Sequence, residues 1–232
     1  MSKSGEIKTQ NSFIKDNRYM YIVDGFKNTM IITLFATIVG ILLGLIIALI
    51  RTTYDNTKKL KVLNAICQVY ITVIRGTPVV IQLMILFFCI FTSRNASGLM
   101  IAIIGFGLNS SAYVAEIFRS GLMSIDSGQM EAGRSLGLSY VQTLKLIIIP
   151  QAFKVVLPAL CNEFIVLIKE TSVAGYVAVQ DLTKGGDIIR SRTYDAWTPL
   201  LIVAGIYLLL TCIFSALVKR LELSLRKNER LG

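Results

Sequence analysis

Residues 29–50, TMIITLFATIVGILLGLIIALI, contain no charged side chain and decide the class of fold. At about 1.5 Å per residue, a helix of this length crosses the ~30 Å hydrocarbon core of a bilayer. The composition agrees, because 54% of the chain is hydrophobic, only 16% is charged and the mean hydropathy is +0.65. Buried helices of soluble proteins are seldom this long and uninterrupted. The stretch therefore predicts a membrane-spanning helix.

Four further apolar stretches follow this first span. They cover residues 62–91, 99–118, 151–168 and 197–218, the first of them interrupted by Arg75-Gly76-Thr77-Pro78. We therefore predict an all-α integral membrane protein with five transmembrane helices and its termini on opposite sides. The predicted organisation is a polar extracytoplasmic tail over 1–21, a single transmembrane domain over 22–220 and a cytoplasmic tail over 221–232.

The distribution of lysine and arginine predicts the orientation. More of them lie in the loop after the first span and in the other segments on that side, which we therefore place in the cytoplasm. The net charge of +10 then reflects this bias and attraction to anionic membrane lipid. The basic residues flank spans and form no stripe, so no nucleic-acid partner is expected.

Several kinds of chemistry have no support in the sequence. There is no histidine, and the four cysteines are isolated, so neither a metal site nor a disulfide framework is predicted. The chain also has no G-x-x-x-x-G-K-[ST] loop. We expect no enzymatic activity and no cofactor of its own, and any ATP hydrolysis would need another subunit.

A polar insert over 126–150 interrupts the apolar stretches. Asp126 suits an N-cap, Gly137 suits a left-handed C-terminal position, and Ser139 with Gln142 forms a capping pattern. Pro150 could open the next span as its first residue. The insert thus predicts two short capped helices in water between the third and fourth spans.

Small residues in the insert favour contact with another protein. Ala132 and Gly133 allow close approach of a second backbone, and Glu131 beside them offers a hydrogen-bond acceptor. The alternative is an ordinary loop that lies on the lipid headgroups.

The insert resembles a known motif. Glu131-Ala132-Gly133, Gly137 four residues on, and the later Ile147-x-Ile149-Pro150 are similar to the EAA motif of ABC importer permeases, with Gly133 replacing an alanine and Ile149 a leucine. Three more stretches resemble the polar amino acid branch of that family: 70–83, YITVIRGTPVVIQL; 109–121, NSSAYVAEIFRSG; and 158–172, PALCNEFIVLIKETS. The first has Thr72 where a glutamate is usual.

The resemblance implies a type I importer in the bacterial cytoplasmic membrane. Its coupling helix would dock into a cytoplasmic ABC ATPase subunit, which uses the ATP and Mg²⁺. Two permease copies, alike or different, would form the core, and an extracytoplasmic binding protein would deliver an amino acid. The residues that this resemblance assigns to ATPase coupling are Glu131, Ala132, Gly133, Gly137, Ile147 and Pro150.

Polar residues within the spans recur at helical spacing. Pro78 and Gly76 predict a break in the second span, which is tolerated where it lines protein or water. We predict a substrate pathway and hypothesise that cationic groups bind a carboxylate and acidic or amide groups an amine. Its residues would be Arg75, Gln82, Asn109, Tyr113, Asn162, Glu163, Lys169 and Glu170. Alternatively, these groups join helices or lie at the membrane interface.

Two other functions remain open from the residues alone. An ion-coupled transporter or channel would use intramembrane acids without an ATPase, but it leaves the capped insert unexplained. A membrane enzyme lacks a supported nucleophile and base, since Ser110 and Ser111 have no evident base and favour close helix packing.

Overall fold

The computed structural model describes residues 17–93 and 96–227, with side chains described as far as residue 225. These residues form helices and no strand. In chain order the α-helices are α1 Tyr19–Thr57, α2 Lys61–Gly76, α3 Val79–Ile85, α4 Gly98–Met123, α5 Ser127–Ser135, α6 Tyr140–Thr143, α7 Ile149–Glu170, α8 Leu182–Thr193 and α9 Trp197–Lys227. Three of them continue into short turns of another helix type: α3 into a wider, π-helical turn Leu86–Ile90, α6 into a wider, π-helical turn Leu144–Ile148, and α7 into a 3₁₀ turn Thr171–Val177.

Four helical stretches are long and apolar enough to cross a membrane: α1, α4, the continuous run 140–177 and α9. Helices α2 and α3 pass the same test only as a pair, and they meet at an angle of 109°. The predicted all-α membrane fold is therefore confirmed in outline. The number of spans is four, or five if the bent pair counts as one.

Helix α1 is longer than the predicted span 29–50. Its 39 residues extend about 58 Å, roughly twice the thickness of the hydrocarbon core. It begins at Tyr19, inside the stretch predicted as a polar tail, of which residues 1–16 lie outside the described part of the chain. At the other terminus α9 continues to Lys227, past the predicted boundary at 220.

A stripe of small residues on α1 packs against α4. Ala36, Gly40, Gly44 and Ala48 recur every fourth residue and are buried. A Cβ added to Gly40 would lie 2.9 Å from Ser110 Oγ, and one added to Gly44 would lie 2.6 Å from a Val114 methyl. Small residues at this spacing allow two membrane helices to approach closely, so this contact forms the centre of the fold.

The helix that contains the fourth predicted span begins before residue 151. The chain is helical from Tyr140 to Glu170, and Pro150 lies near the start of α7 within that run. Proline lacks the amide that would continue the regular hydrogen-bond ladder, and the wider turn Leu144–Ile148 lies directly before it. The capped insert therefore runs into α7 without a break.

Helix α8 was not predicted. It follows the 3₁₀ turn and packs across the beginning of α1, and its N-cap Asp181 is fully buried. The sequence here contains Gly185-Gly186 and charged residues, which is typical of a loop. Tertiary packing overrides that preference, because a Cβ on Gly185 would overlap the Tyr21 carbonyl of α1.

Candidate coupling segment and intramembrane polar residues

The insert over 126–150, which we call the coupling segment, has the predicted caps. Asp126 Oδ1 accepts a hydrogen bond of 2.7 Å from the Gly128 amide and begins α5. Ser139 Oγ accepts from the Gln142 amide at 3.3 Å, while Gln142 Oε1 accepts from the Ser139 amide at 2.8 Å. Gly137 has a φ of +84°, as its place between the two helices requires. Local sequence thus shapes this segment.

Gly133 packs inside the segment. A Cβ at this position would lie 2.5 Å from Thr143 Cγ2 and 3.0 Å from Ile147 Cδ1. Gly133 is buried and Ile147 half-buried. The small residue therefore lets α5 pack on the 140–148 stretch, a contact that the sequence interpretation did not include.

Other residues of the segment face outward. Glu131, Ala132, Gly137 and Pro150 are exposed. So are three apolar side chains, with exposed fractions of 81% for Leu136, 67% for Val141 and 62% for Leu146. Sequence reasoning missed them, although a leucine next to the glycine between two polar helices was a signal.

The polar face of α4 meets three different helices. Asn109 Nδ2 donates a 3.0 Å hydrogen bond to Gln82 Oε1 of α3. The Arg75 guanidinium of α2 lies over the Tyr113 ring, 5.4 Å from its centroid. One turn further, Glu116 forms an ion pair with Arg51 of α1. Asn109, Tyr113 and Glu116 share one face of α4 through their helical spacing, and the structure gives each of them a different partner helix.

Gln82 bridges the break between α2 and α3. Pro78 has no amide to donate to the Ile74 carbonyl, and Gln82 Nε2 lies 2.8 Å from that oxygen instead. The same nitrogen lies 2.8 Å from Thr77 Oγ1 and 3.1 Å from the Thr77 carbonyl. Gly76 is exposed and has open space where a Cβ would be. Gln82 therefore stabilises the bend, and its place in a pathway stays a prediction.

The four predicted pathway residues of α7 lie on two faces of the helix. Glu163 is 8% exposed and accepts a hydrogen bond of 2.9 Å from Ser110 Oγ of α4. Glu170, seven residues further along α7, is half-buried on the same side. Asn162 and Lys169 are exposed on the other face, and Asn162 lines a cavity of about 500 Å³ with Lys154 and Glu222. Ser110, expected only to allow close packing, also binds a buried carboxyl group.

Relatives of this chain are membrane subunits of transport systems. Residues 40–227 match the family described as binding-protein-dependent transport system inner membrane component. The probable amino-acid ABC transporter permease protein YckA of Bacillus subtilis is 37% identical over 198 residues, 85% of each chain. The putative glutamine transport system permease protein GlnP of Rickettsia typhi is 33% identical over 88% of this chain and 93% of its own. The arginine transport system permease protein ArtQ of Bacillus subtilis is 33% identical over 90% of this chain and 94% of its own.

Solved structures share the fold. The crystal structure of an amino acid ABC transporter with histidines contains a chain that is 36% identical, with a TM-score of 0.83 over 96% of this chain and 98% of that one. An inward-facing MetNI methionine ABC transporter matches with a TM-score of 0.74 at 19% identity, over 91% of this chain and 99% of that one, a likeness of fold alone. The chain is a multi-pass membrane protein and belongs to the family of binding-protein-dependent transport system inner membrane components.

Proposed function

We propose that this chain is the permease subunit of an ATP-driven importer that moves a polar amino acid across the bacterial cytoplasmic membrane by alternating access. The bent pair α2 and α3 then forms one of five spans. The observation that carries the proposal is the exposure of Leu136 and Val141 in the coupling segment, whose two short helices are both capped.

Exposed leucine and valine side chains indicate a partner. Burying apolar surface stabilises a contact by roughly 25 cal/mol per Å². Apolar side chains exposed on otherwise polar helices therefore favour a groove of another protein over water. The partner we assign is a cytoplasmic ABC ATPase, in line with the family. Glu131 and Ala132 are exposed on the same segment and would contact the ATPase. Gly133 and Ile147 instead pack on each other inside the segment. Gly137 forms its turn, and Pro150 lies where it enters α7.

The segment has two routes into the membrane. Its beginning follows α4 after a short turn, and its end continues as α7. A displacement of α5 by the ATPase would therefore move both helices, which carry most of the predicted pathway residues. The movement would alternate the opening of the pathway between the two sides of the membrane.

The substrate class comes from the relatives and from the polar groups. Relatives are named for amino-acid, glutamine and arginine transport. A zwitterion would bind its carboxylate at Arg75 or Lys169 and its amine at Asn162 or Glu163, with the remaining predicted pathway residues around it. A second permease copy would complete the pathway, and an extracytoplasmic binding protein would deliver the solute.

An ion-coupled transporter without an ATPase is the alternative. Family membership does not favour this alternative. The alternative also gives no role to the exposed side chains of Leu136 and Val141. The two functions differ in whether uptake requires ATP and a partner subunit.

The test is co-purification of the ATPase with a variant of the exposed leucine, Leu136. We expect Leu136→Ser to lower the amount of bound ATPase about tenfold, as for an anchor side chain at an interface. Leu223→Ser is the control, because Leu223 is 59% exposed near the end of α9 and outside the segment. Equal ATPase binding by Leu136→Ser and the native chain would contradict the docking role.

A second test concerns the pathway. Reconstituted with the partners, Glu163→Gln and Asn162→Ala should change the rate or the selectivity of uptake across a panel of labelled amino acids. Gln68→Ala is a control, since Gln68 is an exposed amide on α2 outside the predicted pathway set. Unaltered rate and selectivity in both variants would remove Asn162 and Glu163 from the pathway.

A further inference from the structure

Two ion pairs join α1 to α4 at their cytoplasmic ends. Arg51 contacts Glu116, and their side chains are 13% and 31% exposed. One turn further along both helices, Arg119 Nε lies 3.5 Å from Asp55 Oδ2, with side chains 31% and 48% exposed. The first pair is the closer and the more shielded from water, so it interacts more strongly.

These pairs lie next to the coupling segment. Helix α4 ends at Met123, three residues before the Asp126 cap, so it is joined to α5 by the chain itself. Helix α1 has no such connection. A cavity of about 420 Å³ separates its end from the segment, lined on one side by Thr52 and Asp55 and on the other by Asp126 and Met130. Helix α1 packs mainly on α4, so a displacement of α5 would reach α1 mostly through α4.

The contact between α1 and α4 within the membrane consists largely of small residues. The stripe at Ala36, Gly40, Gly44 and Ala48 brings the backbones together, and the Val114 and Val39 side chains pack on Gly44 and Gly107 across the interface. Apolar contacts of this kind are not directional. The ion pair between Arg51 and Glu116 supplies a directional contact at the end where force would enter.

We propose that Arg51 and Glu116 are positioning residues that lock α1 to α4, so that movement of the coupling segment carries both helices together. The proposal rests on the proposed function, because it assigns a role in transmitting the ATPase stroke. Neither residue belongs to the predicted pathway or to the docking surface.

The chemistry of the pair defines the variants. Removing one partner leaves the other charge partly buried and uncompensated, while exchanging the two restores opposite charges. Arg51→Lys keeps the charge but loses the planar fork that fits a carboxylate. The neutral variants Arg51→Gln and Glu116→Gln are therefore compared with the exchange R51E/E116R and with Arg51→Lys.

The experiment measures amino acid transported per ATP hydrolysed, with the complete complex and its binding protein in proteoliposomes. We expect each neutral variant to continue to hydrolyse ATP while its transport per ATP falls about tenfold. A factor of this size is typical of coupling between two sites. Arg51→Lys should lie between the neutral variants and the native chain. The exchange should recover most of the loss, because it restores opposite charges between the two helices. Continued ATP hydrolysis by the neutral variants separates a loss of coupling from a loss of folding.

Arg119→Gln is the matched control. It breaks the longer and more exposed pair beside the first, and we expect its transport per ATP to change by less than about twofold. Unchanged coupling in Arg51→Gln and Glu116→Gln would overturn the proposal. If the neutral variants do not assemble, the exchange decides: an assembled exchange with poor coupling overturns the proposal, and one with restored coupling supports it. Absence of ATP-dependent uptake by the native complex would instead contradict the proposed function.

Discussion

The end of the molecule formed by α8 and the beginning of α1 faces outward in the predicted orientation, and we call it the external end. It is built from the same local devices as the coupling segment but differs from it in burial. Both place a short helix outside the long ones and begin it with a side-chain cap, Asp181 in α8 and Asp126 in α5. At the external end Asp181, Leu182 and Ile189 are fully buried. In the coupling segment Leu136 is 81% exposed. Helix formation is therefore local at both ends, whereas the exposed apolar surface of the coupling segment is where the proposed function places the ATPase.

Hydrogen bonds between distant residues hold the external end together. The Leu182 amide donates to Thr29 Oγ1 at 3.1 Å, Asn28 Nδ2 donates to the Gln180 carbonyl at 2.9 Å, and Gln180 Nε2 donates to the Tyr21 carbonyl at 3.2 Å. Contacts of this kind occupy the polar groups of the beginning of α1. Changes at this end should therefore affect the stability of the whole subunit, and changes in the coupling segment should affect mainly its partner.

The largest effect is expected from Gly25→Val. A Cβ on Gly25 would lie 2.5 Å from the Asp181 carbonyl oxygen and 2.9 Å from the Leu182 Cα, and backbone atoms cannot move aside as side chains do. We expect a loss of about 3 kcal/mol or more in stability, above the usual range for overpacking. Thermal unfolding and the yield of monodisperse protein in detergent measure it.

Gly205→Val is the control for that variant. Gly205 lies in α9 with nothing within 4 Å of a Cβ, so the same substitution should leave the thermal midpoint nearly unchanged. Equal stability of the two variants would show that Gly25 is not tightly packed against α8.

Variants at the bend between α2 and α3 give a second test of packing near the external end, because α3 packs against the turn 171–177. Gln82→Leu removes the donor for the Ile74 carbonyl and the acceptor for Asn109. Leaving such groups unpaired should cost about 2–3 kcal/mol. Gln68→Leu, an exposed amide on α2, should cost little. If both variants unfold at the same temperature, Gln82 does not stabilise the break.

The sequence predicted what depends on neighbouring residues. The apolar runs predicted the long helices, and Asp126, Gly137 and Ser139 predicted the local structure of the coupling segment. Contacts between distant residues could not be read in this way: α8 looks like a loop because of its paired glycines, and its place follows from the backbone of α1. The partner of Glu163 was missed for the same reason, because Ser110 lies on another helix and its spacing indicates packing alone.

The cap of α8 links stability to pH. Asp181 accepts hydrogen bonds from the Thr183 and Lys184 amides at 2.9 and 3.1 Å. Burial raises the pKa of Asp181 above its usual value, although these hydrogen bonds oppose the shift. The folded protein thus holds this proton more tightly than the unfolded chain, and the resulting stabilisation is lost as pH rises from about 4 through the raised pKa. Thermal midpoints measured across this range should fall less in Asp181→Asn than in the native protein.

Asp181→Ala should lower stability at every pH. Two amides would lose their acceptor in a buried site, at a cost of about 2 kcal/mol. A thermal midpoint for Asp181→Ala equal to that of the native protein would show that water replaces the carboxyl group there.

Ser139→Ala removes a cap of the same kind from the coupling segment and should have the smallest effect. The exposed capping box is worth about 1 kcal/mol to the turn that it begins. Because this turn packs little on the transmembrane helices, we expect the thermal midpoint to stay unchanged while amides at 140–143 exchange hydrogen about fivefold faster. Bound ATPase should protect these amides in the native chain and the variant alike. A midpoint that falls as far as in Asp181→Ala would mean that the coupling segment is part of the cooperative core, and exposure would then not distinguish the two ends of the subunit.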